Sequence, residues 1–80
     1  MIGFHCTTPK KLERYMATKG ILPPVRFWIF KNSAKAWMEK TGRSILLQIE
    51  CEKYFPLPDH HPRGHAFWTP NIIVKFSQIE

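Results

Sequence analysis

The residues best suited to chemistry fall in two places, His5-Cys6-Thr7-Thr8 near the start and Asp59-His60-His61-Pro62-Arg63-Gly64-His65 later on. In the first, Thr8-Pro9 is a helix-start signal, with a hydroxyl to cap an amide and a proline at the first helical position. His5 stands just ahead of it, where a ring nitrogen and the helix N-terminus could hold a ribose hydroxyl or a phosphate. A histidine bonding a local carbonyl at a strand end explains the same residue without a ligand. Cys6 and His5 are neighbours in an extended segment and point to opposite faces, so they do not form a nucleophile–base pair.

Three histidines within six residues in the second stretch raise a metal reading, with Cys51 as a fourth donor. The spacing is poor for it: Pro62 and Gly64 preclude the helix that would put His61 and His65 on one face. Adjacent His60 and His61 diverge in an extended chain, and no CxxC or HExxH pattern supports them. No metal is therefore expected, and a polar loop offering Arg63 to an anion is the better functional reading. Glu50 and Glu52, two apart on a strand, would sit roughly 6–7 Å apart, compatible with acid/base work or with a solvated strand face. Trp28, Phe30 and Trp68, with Arg26 and Lys31 nearby, could stack bases or simply pack the core. No RNP-type or helix-turn-helix signature accompanies them.

The elements that must position these groups follow from periodicity. Ile2–Cys6 alternates as a short strand, with Ile2, Phe4 and Cys6 on one face and Gly3 and His5 on the other. Leu12, Tyr15 and Met16 form the apolar stripe of a first helix, and Gly20 is its expected left-handed stop. Pro23-Pro24 hands the chain to a second strand over 25–30, with Arg26, Trp28 and Phe30 sharing a face. Asn32 or Ser33 is the expected cap of a second helix, Ala34–Thr41, which Gly42 ends. Ser44–Glu52 is a strand with Ile45, Leu47, Ile49 and Cys51 facing one way and Gln48, Glu50 and Glu52 the other. Prolines and Gly64 exclude regular structure over 53–64. A strand resumes at His65–Trp68. Thr69-Pro70 repeats the helix-start signal, which favours a short helix over 70–77, while Ile72-Ile73-Val74 suits a strand equally.

Eighty residues make one domain, 1–80, close to the size at which a single core barely suffices. Eleven aromatic residues, three Trp, six Phe and two Tyr, help so small a chain gather apolar contact without disulfides. Cys6 and Cys51 give no disulfide framework, and two buried free thiols in a reducing cytoplasm are expected. No run of 18 apolar residues is present, so no membrane span is expected, and no signal peptide is visible. The net charge of +6 favours phosphate-bearing partners, a nucleotide or nucleic acid, although a basic surface also serves solubility. Oligomeric state is not readable.

Phe4-His5-Cys6-Thr7-Thr8, Leu12 and Gly20-Ile21-Leu22-Pro23 together resemble the opening of ADP-ribosyltransferase-like domains. That group includes the RNA 2′-phosphotransferases and DNA-modifying ADP-ribosyltransferase toxins. Phe27–Trp37, Ser44–Glu52 and Gly64–Pro70 resemble later segments of the same domains. The resemblance implies that NAD is the ligand, that His5 contacts it, and that Thr7 supplies a hydroxyl. It also implies that Trp28 or Phe30 lies near the aromatic that packs on nicotinamide. Two positions depart from the pattern. Cys6 replaces a glycine, and His65 stands where a catalytic glutamate would stabilise an oxocarbenium-like transition state.

The expectation is thus an α+β domain: a mostly antiparallel sheet of about four strands with two or three short helices on one face, in the order β-α-β-α-β-β-α. It would be a minimal ADP-ribosyltransferase-like domain that binds NAD or a phosphorylated nucleotide, with His5, Thr7, Arg26, Trp28 and Arg63 as the ligand-binding residues. A non-enzymatic basic module for nucleic acid or a protein partner is the competing reading.

Overall fold

The computed structural model of the chain describes residues 1–57 and 66–80. Among the described residues the order is β1 (Ile2–Thr7), α1 (Pro9–Thr18), β2 (Val25–Trp28), α2 (Lys31–Thr41), β3 (Ile45–Glu50), β4 (Phe55–Pro56), β5 (Ala66–Thr69) and β6 (Phe76–Gln78). The protein is α+β, with one antiparallel sheet in the spatial order β4-β5-β2-β1-β3-β6. The sheet therefore has six strands, where four were expected. The two additions, β4 and β6, are edge strands of two and three residues, too short to show a period of their own.

Alternation along the central strands sorts the core into two layers. Val25, Phe27, Leu47, Ile49 and Cys51 face one side, joined by Ile21 and Ile73, with Leu12 and Tyr15 of α1 packed against them. Cys6, Trp28, Leu46 and Ala66 face the other, covered by Ala34, Trp37 and Met38 of α2. The two helices thus cover opposite faces of the sheet, not one face as expected. Leu46, fully buried beneath α2, shows why: the face of β3 that carries Gln48 and Glu50 is a core face at Leu46 and opens toward solvent only from Gln48 onward. Of the face assigned to Ile2, Phe4 and Cys6, Cys6 is buried, Phe4 partly so, and Ile2 exposed. Cys6 and Cys51 are buried free thiols in different layers.

Local signals behave unevenly. The Thr8 side chain accepts from the Lys11 amide at 3.2 Å, as the Thr-Pro signal requires. The left-handed residue that ends α1 is Lys19 (φ 57°), not Gly20. Gly20 is instead a packing glycine, since a Cβ there would meet the Ile72 side chain at 2.9 Å. Gly42 does end α2, at φ 72°. That helix starts earlier than expected, at Lys31, with Phe30 at the cap position and no side-chain cap. After Thr69 the chain forms no helix. Ile73 is held by a backbone bridge to Ile21, with bonds of 2.8 and 3.0 Å, before β6 begins.

Candidate functional site

The site arises from a fault in the sheet. β1 pairs with β3 along its whole length, from Ile2 opposite Glu50 to Thr7 opposite Ile45. With β2 it pairs at one position, Phe4 opposite Trp28. A continued ladder would set Cys6 opposite Arg26 and Thr7 opposite Val25, but the strands separate there. The Arg26 carbonyl, left without a strand partner, is met by the His5 side chain. Its Nδ1 lies 2.6 Å from the Arg26 carbonyl oxygen, so the ring spans the gap that the missing ladder leaves.

That bond fixes the tautomer. A carbonyl only accepts, so Nδ1 carries the proton and Nε2 is the acceptor. Nε2 faces the Tyr15 hydroxyl at 3.3 Å, and the Tyr15 oxygen in turn accepts from the Thr7 hydroxyl at 3.4 Å. Both bonds are long, but their polarity is consistent from end to end: Thr7 donates to Tyr15, Tyr15 to His5, and His5 to the Arg26 carbonyl. The Tyr15 ring is wedged between His5 and Phe76, with centroids 6.0 and 6.3 Å away.

Desolvation is the main cause that lowers the His5 pKa below its ordinary 6.5; the nearby Arg43 and Lys11 charges lower it further, while the bond to the Arg26 carbonyl opposes them. The neutral imidazole is the form present at neutral pH. The Cys6 thiol is pushed up to about 11, chiefly by burial, and donates to the Ala34 carbonyl at 3.1 Å. It is therefore protonated at neutral pH and unsuited to nucleophilic attack.

Where the strands part, a cleft of about 320 Å³ opens. Its lining draws on both faces of the sheet: His5 and Tyr15 from the α1 side, Trp28 and Trp37 from the α2 side, and Leu57 and Ala66 beyond β2. The indoles of Trp28 and Trp37 lie with ring centroids 5.8 Å apart. Lys11, Arg26 and Arg43 also line it, and no described carboxylate does. None of these three cations pairs with a described acid; the ion pairs lie elsewhere, joining Lys31 and Lys35 to Glu80 and Lys75 to Glu50.

Of the residues singled out from sequence, His5, Arg26 and Trp28 come together in the cleft. Trp28 lines it from a largely buried position, 5% exposed. Thr7 is buried and reaches the cleft only through Tyr15. Phe30 is exposed and does not line it, and Trp68 packs on Phe55 at 5.3 Å. Arg63 and the whole 59–65 cluster lie outside the described residues. Among the described residues no group of His, Cys, Asp or Glu is arranged to hold a metal. Glu50 is exposed beside Lys75 at 3.7 Å, a solvated strand-face acid.

Four residues escaped the sequence reading: Lys11, Tyr15, Trp37 and Arg43. Tyr15 and Trp37 sat in helix stripes that accounted for them as core, and Lys11 and Arg43 belong to no motif. The signal for Lys11 was its place in the turn that Thr8 caps. Arg43 had none, because only the tertiary fold carries the end of α2 to the cleft. No family model matches the chain, and neither a characterised protein nor a solved structure matches it.

Proposed function

We propose that the cleft between β1 and β2 binds a nucleotide, and that NAD is its ligand. The observation that carries this is the lining: Lys11, Arg26 and Arg43 around a cavity floored by aromatic rings, with no described carboxylate among them. Cations answer phosphates, with the guanidinium groups able to bond two oxygens at once, and indole faces answer a planar base. The choice of NAD rests on the resemblance of the opening segment to ADP-ribosyltransferase-like domains. In this reading His5, neutral and fixed in orientation, presents its Nε2 edge to a ribose hydroxyl, with Tyr15 yielding its bond to the incoming donor. Arg26 and Arg43 take the phosphates, and Trp37, packed on the largely buried Trp28, offers an aromatic wall to a ring. Binding is the activity proposed. Transfer would need a group to stabilise the developing positive charge, and the position where the resemblance implies a glutamate carries His65.

Titration of NAD and of ADP-ribose into isotope-labelled protein tests this. The amides of His5 to Thr8 and the indole resonances of Trp28 and Trp37 should shift together. Arg26→Glu should weaken binding by about tenfold or more, the loss expected for a charge-assisted contact replaced by repulsion. If neither ligand moves those amides at millimolar concentration, the proposal fails. Salt-sensitive retention of nucleic acid without any response to NAD would favour a nucleic-acid-binding module instead.

A further inference from the structure

A second cavity, about 200 Å³, runs along α1 and is lined by Lys11, Arg14, Tyr15, Thr18, Gly20 and Leu22. The four helical members are spaced i, i+3, i+4 and i+7, so they share one face of the helix. Lys11, Tyr15 and Leu22 also line the cleft. The two cavities therefore adjoin across Tyr15, with the cleft on its His5 side.

The Thr18 hydroxyl shares its one proton between the Arg14 carbonyl at 2.9 Å and the Gly20 carbonyl at 3.1 Å, which ties the chain leaving the helix to its last turn. Gly20 brings backbone, not side chain, to the wall, and is buried there. The two charged members, Lys11 and Arg14, are both exposed cations, and neither pairs with a described carboxylate. The helix dipole gains nothing from Lys11. The first turn holds Lys10 and Lys11 and no acid, the wrong sign for the positive end of the helix dipole.

We infer that this groove is a second anion subsite continuous with the cleft, so that the ligand carries a further phosphoryl group set apart from the phosphate held in the cleft, as a ribose-phosphorylated form of NAD or a nucleoside bisphosphate does. One phosphate lies with Arg26 and Arg43, and the other lies with Arg14, with Lys11 between them. The inference rests on the nucleotide reading of the cleft, and it adds that ligand length and a second charge are selected.

The test compares adenosine 5′-monophosphate with adenosine 3′,5′-bisphosphate on the full chain, by calorimetry. The bisphosphate should bind about tenfold more tightly, the gain of one charge-assisted contact. Arg14→Glu should abolish that difference while leaving the monophosphate affinity unchanged, and Arg14→Lys should restore part of it. Arg14 is exposed, so an unchanged melting temperature shows that the variants fold. Equal affinity of the wild-type protein for both nucleotides overturns the inference, as does equal loss of both in Arg14→Glu. Inorganic phosphate separates the two readings. Phosphate-induced shifts at Arg14 and Thr18 without response to either nucleotide would overturn the cleft reading, and with it the ligand's further phosphoryl group, leaving only an anion site. Absence of those shifts when the monophosphate does bind would overturn the groove alone.

Discussion

The His5 ring donates to a strand and accepts from a helix, so its protonation state is set by groups that the fold supplies. In the unfolded chain it titrates near 6.5, and in the folded protein lower, through burial and the charges of Arg43 and Lys11. Between those two values the unfolded chain holds more protons. The stability tied to the neutral ring is therefore complete above pH 6.5 and is lost as pH falls toward the folded pKa. Thermal melts across that window should show wild type losing stability on acidification and His5→Gln losing less; parallel slopes would refute the assignment. In the proposed complex a ribose hydroxyl donates to Nε2, which requires the neutral ring, so ligand should hold the His5 pKa down, read from its ring-proton shifts. By linkage, binding should then weaken as pH falls from neutral toward the folded pKa. Tyr15→Phe removes the donor to Nε2 but leaves the Arg26 carbonyl bond, so it should shift ring orientation and ligand affinity more than stability. None of this was legible from sequence. His5 was recognisable as a group at a strand end, but its partners come from β2 and α1, and their approach is a tertiary fact.

Elements were more legible where a covalent or steric rule acts locally. The Thr8-Pro9 start and the Gly42 stop follow from cap chemistry, and the structure has both; the two-residue period of β3 sorts its residues between the two faces, although Leu46 and Leu47 are both buried. Where local grammar was ambiguous, packing decided. The β-branched run after Pro70 became neither the expected helix nor a long strand, because Ile73 is claimed by the bridge to Ile21. The Gly20 position reads as a turn residue, yet the left-handed backbone sits on Lys19 while Gly20 makes room for Ile72. Gly3 is another residue whose reason is contact. A Cβ there would collide with the Phe27 ring, which is 1% exposed and boxed in by Phe67 and Tyr54 at 6.0 and 6.2 Å. Gly3→Ala should therefore destabilise the protein by about 1–3 kcal/mol, measured by denaturant titration. Thr8→Ala, which removes only the cap bond of α1, should cost about 1 kcal/mol. If Gly3→Ala is neutral, the packing of β1 on Phe27 is looser than described.

At the scale of the molecule, the described ion pairs and the cations of the two cavities lie apart. Lys31, Lys35 and Lys75 are matched by Glu80 and Glu50, whereas Lys11, Arg14, Arg26 and Arg43 gather around the two cavities without a described acid. Anion binding should accordingly weaken as salt rises from about 50 mM to about 200 mM, while the melting temperature of the free protein changes little. The excess of six positive charges was readable from composition, but the gathering of Lys11, Arg26 and Arg43 at one fault in the sheet was not. That fault also divides the molecule mechanically. β4-β5-β2 and β1-β3-β6 are two half-sheets, sewn at Phe4 and Trp28 and strapped by α2, whose Ala34 carbonyl holds Cys6 while Trp37 meets Trp28. Amide protons of Cys6 and Arg26, which face the gap, should exchange with solvent deuterium faster than those of β3, which has neighbours on both edges. A ligand seated between the halves would act as a rivet, slowing that exchange on both strands at once.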